Sequence, residues 1–424
     1  MKITKLHSRW ILDSRGLPTV EVDITSEAGH MARASVPSGA STGSHEALEL
    51  RDEDSRHFRG KGALKALSNI QNEIAPKLVG YEYSQSEIDN LLISMGGEHK
   101  ANLGANATLA VSLASLKLAA LDQNVDLYRY IAQLANTQEL SLPMPMFNIL
   151  NGGKHAPDAS DVQEYMIMPI SATNMQLALE MGSEVFHSLK SLLHENHFST
   201  SVGDEGGFAP AINIPEQTLD LLSRSVEQAG FKLGKDIGFC LDVAASELFD
   251  DENYKFTKQG ISKSSAEMTD WLKGLVNNYP VISIEDGLDE DDWTNWVELN
   301  KILGDKTQIV GDDLFVTDEK LLGKGIEQKA ANAILIKPNQ IGTVSETISC
   351  VKTAQSNSWN TVISHRSGET EDVSIAHLAV GLNSGQIKAG SLSRTDRVEK
   401  YNELLRIAEL QPALKLSQTL AKLN

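Results

Sequence analysis

Basic residues, cysteines, aromatic residues and long apolar runs are all scarce in this sequence. Its 38 Lys and Arg residues face 57 Asp and Glu residues, for a formal net charge of −19. A nucleic-acid backbone needs a basic footprint, so no nucleic-acid partner is expected. The same deficit means that an anionic substrate must find local cations, either bound metal or clustered Lys and Arg. The only two cysteines, Cys240 and Cys350, lie in apolar runs. That is the pattern of small buried hydrophobes and fits a reducing compartment better than a disulfide framework. The longest apolar helical stretch, Leu109 to Leu121, contains Lys117 and is too short to span a membrane. No charged-then-apolar leader opens the chain. These features predict a cytoplasmic protein with no membrane span.

What is present is ordinary globular material: 41% apolar and 22% charged residues over 424 positions. That length exceeds what one core usually serves, so two or three domains are expected. Thr19-Val20-Glu21-Val22-Asp23-Ile24-Thr25 alternates with the period of a half-buried strand. Turn signals at Ser14-Arg15-Gly16 and Glu27-Ala28-Gly29 mark an antiparallel meander. Leu109, Leu113, Leu116 and Ala120 share a helix face, with Asn106 or Thr108 available as a cap. Strands followed by helices predict a small α+β domain over 1–135, ending at the polar break Asn136-Thr137-Gln138-Glu139.

From 140 to 424 the pattern changes. Short apolar runs recur, each ending in a polar residue: Asp242, Glu285, Asp312, Lys337, His365 and Lys388. Helical segments, such as Glu267 to Val276 and Thr343 to Ala354, fill several gaps. Buried strands alternating with helices predict parallel βα units. Six such units favour an α/β barrel of the TIM (β/α)8 type over an open doubly wound sheet. The open sheet also lacks support from Gly203-Asp204-Glu205-Gly206-Gly207, which does not have dinucleotide-binding spacing. A barrel carries its site at the C-terminal strand ends, so the six polar residues should surround one mouth.

Asp242, Glu285 and Asp312 would then be three converging carboxylates, which repel one another unless a cation joins them. An all-oxygen set suits Mg²⁺. Lys337, near such a cation and near Lys388, should have its charged form disfavoured and could serve as a general base. Alone, it fits an ion pair with the carboxylates equally well. Glu205, between glycines that allow close backbone approach, could donate a proton to a leaving hydroxyl or be a surface-turn acid. Pro37 to Gly43 reads as a hydroxyl-rich lid or as an ordinary connection. His365-Arg366-Ser367-Gly368 suits a phosphate, and Arg366 could instead be a structural ion pair. His155 could equally be a core histidine.

Together these segments resemble the enolases over nearly the whole chain. The resemblance rests on Asp13-Ser14-Arg15-Gly16, Val36 to Gly43, Asn151-Gly152-Gly153 with His155, and Gln163-Glu164. It rests further on Gly203 to Pro210, Ser283 to Leu288, Val310 to Leu314, Ile336 to Thr343, Ser364 to Thr370 and Gly390 to Arg394. It implies a reversible Mg²⁺-dependent dehydration of 2-phosphoglycerate to phosphoenolpyruvate, a step of glycolysis and gluconeogenesis, with two Mg²⁺ per active site. It implies Asp242, Glu285 and Asp312 as ligands of one ion and Ser41, in the loop 37–43, as a ligand of the second. Lys337 would take the C2 proton, and Glu205, assisted by Glu164, would protonate the departing hydroxyl. Arg366 and Ser367 would hold the phosphate, and Gln163, His155, His365 and Lys388 would contact the substrate. A barrel with irregular first units, assembly as a homodimer or octamer, and secondary cell-surface or secreted roles also follow from the resemblance alone. Leu17, Ala389 and the segment after Ile407 depart from the family pattern without removing any of these residues. A racemase or cycloisomerase of the same superfamily, or a non-enzymatic structural or adhesion protein, are the competing readings.

Overall fold

In the computed structural model of the chain, residues 1–40 and 43–422 are described. The N-terminal part opens with an antiparallel sheet of β1 (Ile3–Leu12), β2 (Pro18–Ser26) and β3 (Met31–Ser35), in the order β1-β2-β3. β2 is central and more buried than its alternation predicts. Val20, Val22 and Ile24 are fully buried on the side facing the long helix, and Glu21 is also buried because Arg9 and Ser35 engage it. Asp23 pairs with Arg33 and Arg9. Burial alone would raise the Asp23 carboxyl, but the two guanidiniums hold it at about 2.

After a helical stretch over 64–78 come the helices that pack on the sheet and the barrel: α1 (Gln85–Gly96), α2 (Ala105–Asp122) and α3 (Leu127–Ala135). α2 is apolar or small on nearly every face and is buried all round, where the sequence pattern had suggested a single apolar face. Neither Asn106 nor Thr108 caps it. The N-cap position is Gly104, and Asn106 instead exchanges hydrogen bonds with the backbone of Leu50.

The remainder is a closed eight-stranded barrel, with a small three-stranded antiparallel sheet over 249–263 set between two of its strands in chain order. Its strands are β4 (Met144–Asn151), β5 (Glu164–Met168), β6 (Gly238–Asp242), β7 (Val281–Glu285), β8 (Gln308–Gly311), β9 (Ala333–Ile336), β10 (Asn360–Ser364) and β11 (Gly385–Lys388). β5 runs antiparallel to both β4 and β6, and the other neighbouring pairs are parallel. The reason is local. The link 152–163 holds only one short helical turn, and a parallel return normally needs a crossover helix. Two helices, α4 (Met175–Glu195) and α5 (Pro215–Gln228), then restore the parallel direction before β6. Later units carry α6 (Ser265–Asn278), α7 (Trp293–Leu303), α8 (Glu319–Gln328), α9 (Val344–Ser356), α10 (Ser374–Gly381) and α11 (Thr395–Leu410). Among the described residues, no helix is long and apolar enough to cross a membrane.

The two parts are joined by buried polar contacts. Asp89 of α1 is fully buried and accepts from Ser112 of α2 at 2.6 Å and Gln85 at 3.1 Å. Its other oxygen accepts from the backbone and hydroxyl of Ser345 in α9, at 2.9 and 2.6 Å. Lys117 of α2 reaches Asp372 at 2.6 Å. Removing a shared acceptor leaves several buried donors unsatisfied, which costs more than the lost bonds. Asp89→Ala should therefore lower unfolding stability by about 3 kcal/mol. A urea-denaturation midpoint equal to that of the native chain would contradict this.

Candidate active site

The barrel register brings the expected residues to one mouth. Asp242 and Glu285 end β6 and β7 and are direct cross-strand partners. Glu164 opens β5 and is paired with Asp242 on the other side. Because β5 is antiparallel, its first residue, and not its last, lies at this end. Lys388 ends β11, and its ammonium reaches Glu164 at 3.1 Å, Asp242 at 3.1 Å and Glu285 at 2.9 Å. All four side chains are buried. Burial alone would discharge Lys388, but the carboxylates outweigh it and hold the amine well above its ordinary range.

Asp312 and Lys337 follow the last residues of β8 and β9 and form an ion pair with each other. Gln340 also donates to Asp312 at 2.9 Å. The expected disfavouring of the Lys337 cation is not what the protein groups produce. Burial lowers the amine, but Asp312 and Glu285 together more than restore it, so the pKa is raised. Lys388 does oppose the charge, as expected, and so does Arg366, but their effect is outweighed.

A second group of acids faces this one. Glu205 is 3% exposed, which removes the surface-turn alternative. It accepts from Asn148 of β4 at 2.9 Å and stands 3.6 Å from His155 Nε2 and 3.5 Å from His365 Nε2. The glycines beside it are required by packing. A Cβ on Gly206, at φ +85°, would lie 2.4 Å from the Ser393 carbonyl, and one on Gly207 would lie 2.4 Å from Asn151 Oδ1. Ligand-type atoms of His155, Glu164 and Glu205 all lie within 4.8 Å of one another. Burial and the charge of Glu205 raise Glu164 well above the carboxylate range. Burial would raise Glu205 too, but His155, His365, Arg397 and Lys388 hold it well below. Two carboxyls so close titrate as a pair, and Glu164 is the member driven toward its neutral form.

On the third side, Arg366 is buried and donates to both oxygens of Glu46 at 3.0 and 3.1 Å and to Asn339 at 3.1 Å. Ser367 lies beside it, 3.4 Å from the Arg15 guanidinium. The structural ion pair foreseen for Arg366 is thus present, with Glu46 as partner. The loop 37–43 is tied in from both flanks. Ser38 and Gly368 exchange backbone hydrogen bonds, and Gly43 and Ser44 donate to Glu46 and Glu290. Ser41, the expected ligand of a second ion, lies outside the described residues.

One polar pocket collects these groups. His155, Gln163, Glu164, Glu205, Asp242, Lys337, His365, Arg366, Ser367 and Lys388 all line it, with Ala40 at the rim. Glu285 and Asp312 are not in its lining and are engaged by Lys388 and Lys337. Their chemistry fits a hard divalent cation. The predicted ligands Asp242, Glu285 and Asp312 offer only oxygen donors. Burial and neighbouring acids raise Glu285, Asp286 and Asp313 well above their ordinary values, which marks a site short of positive charge. Oxygens of Asp286, Asp312 and Asp313 also lie within 4.8 Å of one another. Asp286 is oriented by the backbone N–H groups of Asp312 and Asp313, at 2.8 and 2.9 Å.

Several contributors carry little signal in the sequence. Asp286 and Asp313 are next to predicted ligands and could have been read with them. Glu46, Asn148 and Arg397 stand apart from any strand-end pattern, and only the tertiary fold brings them in.

Two family models match the chain. One, described as the enolase N-terminal domain, covers residues 3–131. The other, described as the enolase C-terminal TIM barrel domain, covers residues 139–415. With the closed barrel and the acid-lined mouth, these matches establish that the chain belongs to the enolase family.

Proposed function

We propose that this protein is a hydro-lyase that dehydrates 2-phosphoglycerate reversibly to phosphoenolpyruvate, in glycolysis and gluconeogenesis. One observation carries the reading: Lys337, the Glu164–Glu205 carboxyl pair and the Arg366–Ser367 segment line the same buried pocket, and they are suited to act as base, proton donor and anion holder. A superfamily member acting on a non-phosphorylated acid would have no use for the third of these.

Asp242, Glu285 and Asp312 would hold one Mg²⁺, with Ser41 contributing to a second. When bound, Mg²⁺ supplies Lewis-acid polarisation of the substrate carboxylate, which makes the neighbouring C2–H acidic. The protein groups account for the rest. Arg366 and Ser367 bind the phosphate, for which Arg366 can exchange its Glu46 carboxylate. Gln163, His155 and Lys388 orient the carboxylate end. Lys337 accepts the C2 proton at Nζ. It becomes competent once Asp312 is otherwise engaged, because burial then favours the neutral amine. The C3–O bond breaks with its electron pair on oxygen, and the proton held by the Glu164–Glu205 pair leaves with that oxygen as water. Glu205 delivers this proton, and Glu164 serves as its store. Family resemblance supports a homodimer or octamer in the cytoplasm.

Lys337→Ala should reduce kcat by about 10³- to 10⁴-fold, the range for loss of one proton-transfer group. The readout is the ultraviolet absorbance of the enol product, and native-like turnover would remove Lys337 from its role. Glu205→Gln, which keeps the shape but loses the transferable proton, should cost about 10²-fold or more. In a third test, EDTA should abolish turnover and added Mg²⁺ restore it. Full activity in chelator, or activity confined to non-phosphorylated acids, would defeat the proposal.

A further inference from the structure

Arg397, in the first turn of α11, is a fully buried cation that the steps above do not use. One of its terminal nitrogens donates to the Arg366 carbonyl at 2.5 Å and contacts His365 Nδ1. The other donates to the carbonyls of Ser367 at 2.6 Å and Asp204 at 3.1 Å. Its Nε lies 2.8 Å from Asp396. Gly390 makes room for it, since a Cβ there would lie 2.6 Å from Arg397 Cδ.

A guanidinium carries five donors and no acceptor, and it does not lose its proton in proteins. An imidazole nitrogen in hydrogen-bond contact with it must therefore accept. Nδ1 of His365 is then bare, and the single ring proton resides on Nε2. That nitrogen is the one 3.5 Å from Glu205 Oε2. A second ring proton would set two cationic donors head to head in a buried place, so the ring stays neutral. His155 differs: its Nδ1 is buried without a hydrogen-bond partner among the described residues, so no contact there selects a tautomer.

We propose that Arg397 is a positioning residue: it fixes His365 as the neutral Nε2–H tautomer directed at Glu205, and it fastens the Asp204–Glu205 turn to the Arg366–Ser367 segment. One planar group thereby sets the distance between the proton donor and the phosphate holder. It also sets an uncharged N–H beside Glu205, which does not compete with it as an acid. The catalytic consequence rests on the function proposed above, whereas the tautomer assignment does not.

The test uses the full chain with ¹⁵N-labelled histidines and a long-range ¹H–¹⁵N spectrum at neutral pH, the His365 signals being identified by their loss in His365→Gln. The native spectrum should show the Nε2–H pattern for His365. Arg397→Lys keeps the charge but loses the fork. It should abolish that pattern and lower kcat by about 100-fold, the cost of a small misplacement, with a smaller change in KM. Guanidinium ion added to Arg397→Ala should restore part of both. A native His365 carrying its proton on Nδ1, or on both nitrogens, overturns the proposal even if neither variant folds. So does a loss of kcat in Arg397→Lys with the His365 pattern unchanged. A native chain with the Nε2–H pattern but no turnover of 2-phosphoglycerate would uphold the tautomer and sink the function.

Discussion

The mouth of the barrel is organised around one ammonium among three carboxylates. Lys388 Nζ touches Glu164, Asp242 and Glu285, each on a different strand and each buried. A charge so placed is costly unless its partners are held at bonding distance. Only a sheet that closes on itself can supply partners from β5, β6, β7 and β11 at one level. Barrel closure and the charge cluster thus depend on each other. A barrel opened at the β11–β4 seam would leave the acids without their counter-ion.

Around that centre, burial is used in opposite senses. It pushes Glu164 toward its neutral form, while the donors ringing Glu205 keep the latter ionised. It would neutralise Lys337, while contact with Asp312 keeps that lysine charged. Two carboxyls in similarly dry surroundings are driven apart in their affinity for protons by their immediate neighbours, while both lysines are held charged by theirs. Such a separation is what acid and base functions a few ångströms apart would require at one pH.

Much of this was legible in the sequence, for a physical reason. A buried parallel strand is a short apolar run, and the residue that ends it is the first one free to be polar. Asp242, Glu285, Asp312, Lys337, His365 and Lys388 were therefore readable as a ring before any coordinates. β4 and β5 were not, because their unit lacks the crossover helix that gives βα repeats their rhythm. Glu164 reaches the mouth from the beginning of a strand, where the strand-end rule does not look, and its assignment came from family resemblance. The buried sides of α2 were misread because Ser112, Ser115 and Thr108 count as polar in a pattern but are small enough to pack. The raised pKa of Lys337 escaped because it depends on a contact distance, which no spacing along the chain encodes.

The order of synthesis gives the Lys388 cluster a further meaning. Translation delivers Glu164, Asp242 and Glu285 well before their shared counter-ion. A nascent chain emerging from the ribosome thus carries three acids whose mutual repulsion resists dehydration of the half-made barrel. The last barrel strand in chain order, β11, therefore brings the cation that the three earlier strand-end acids need for burial.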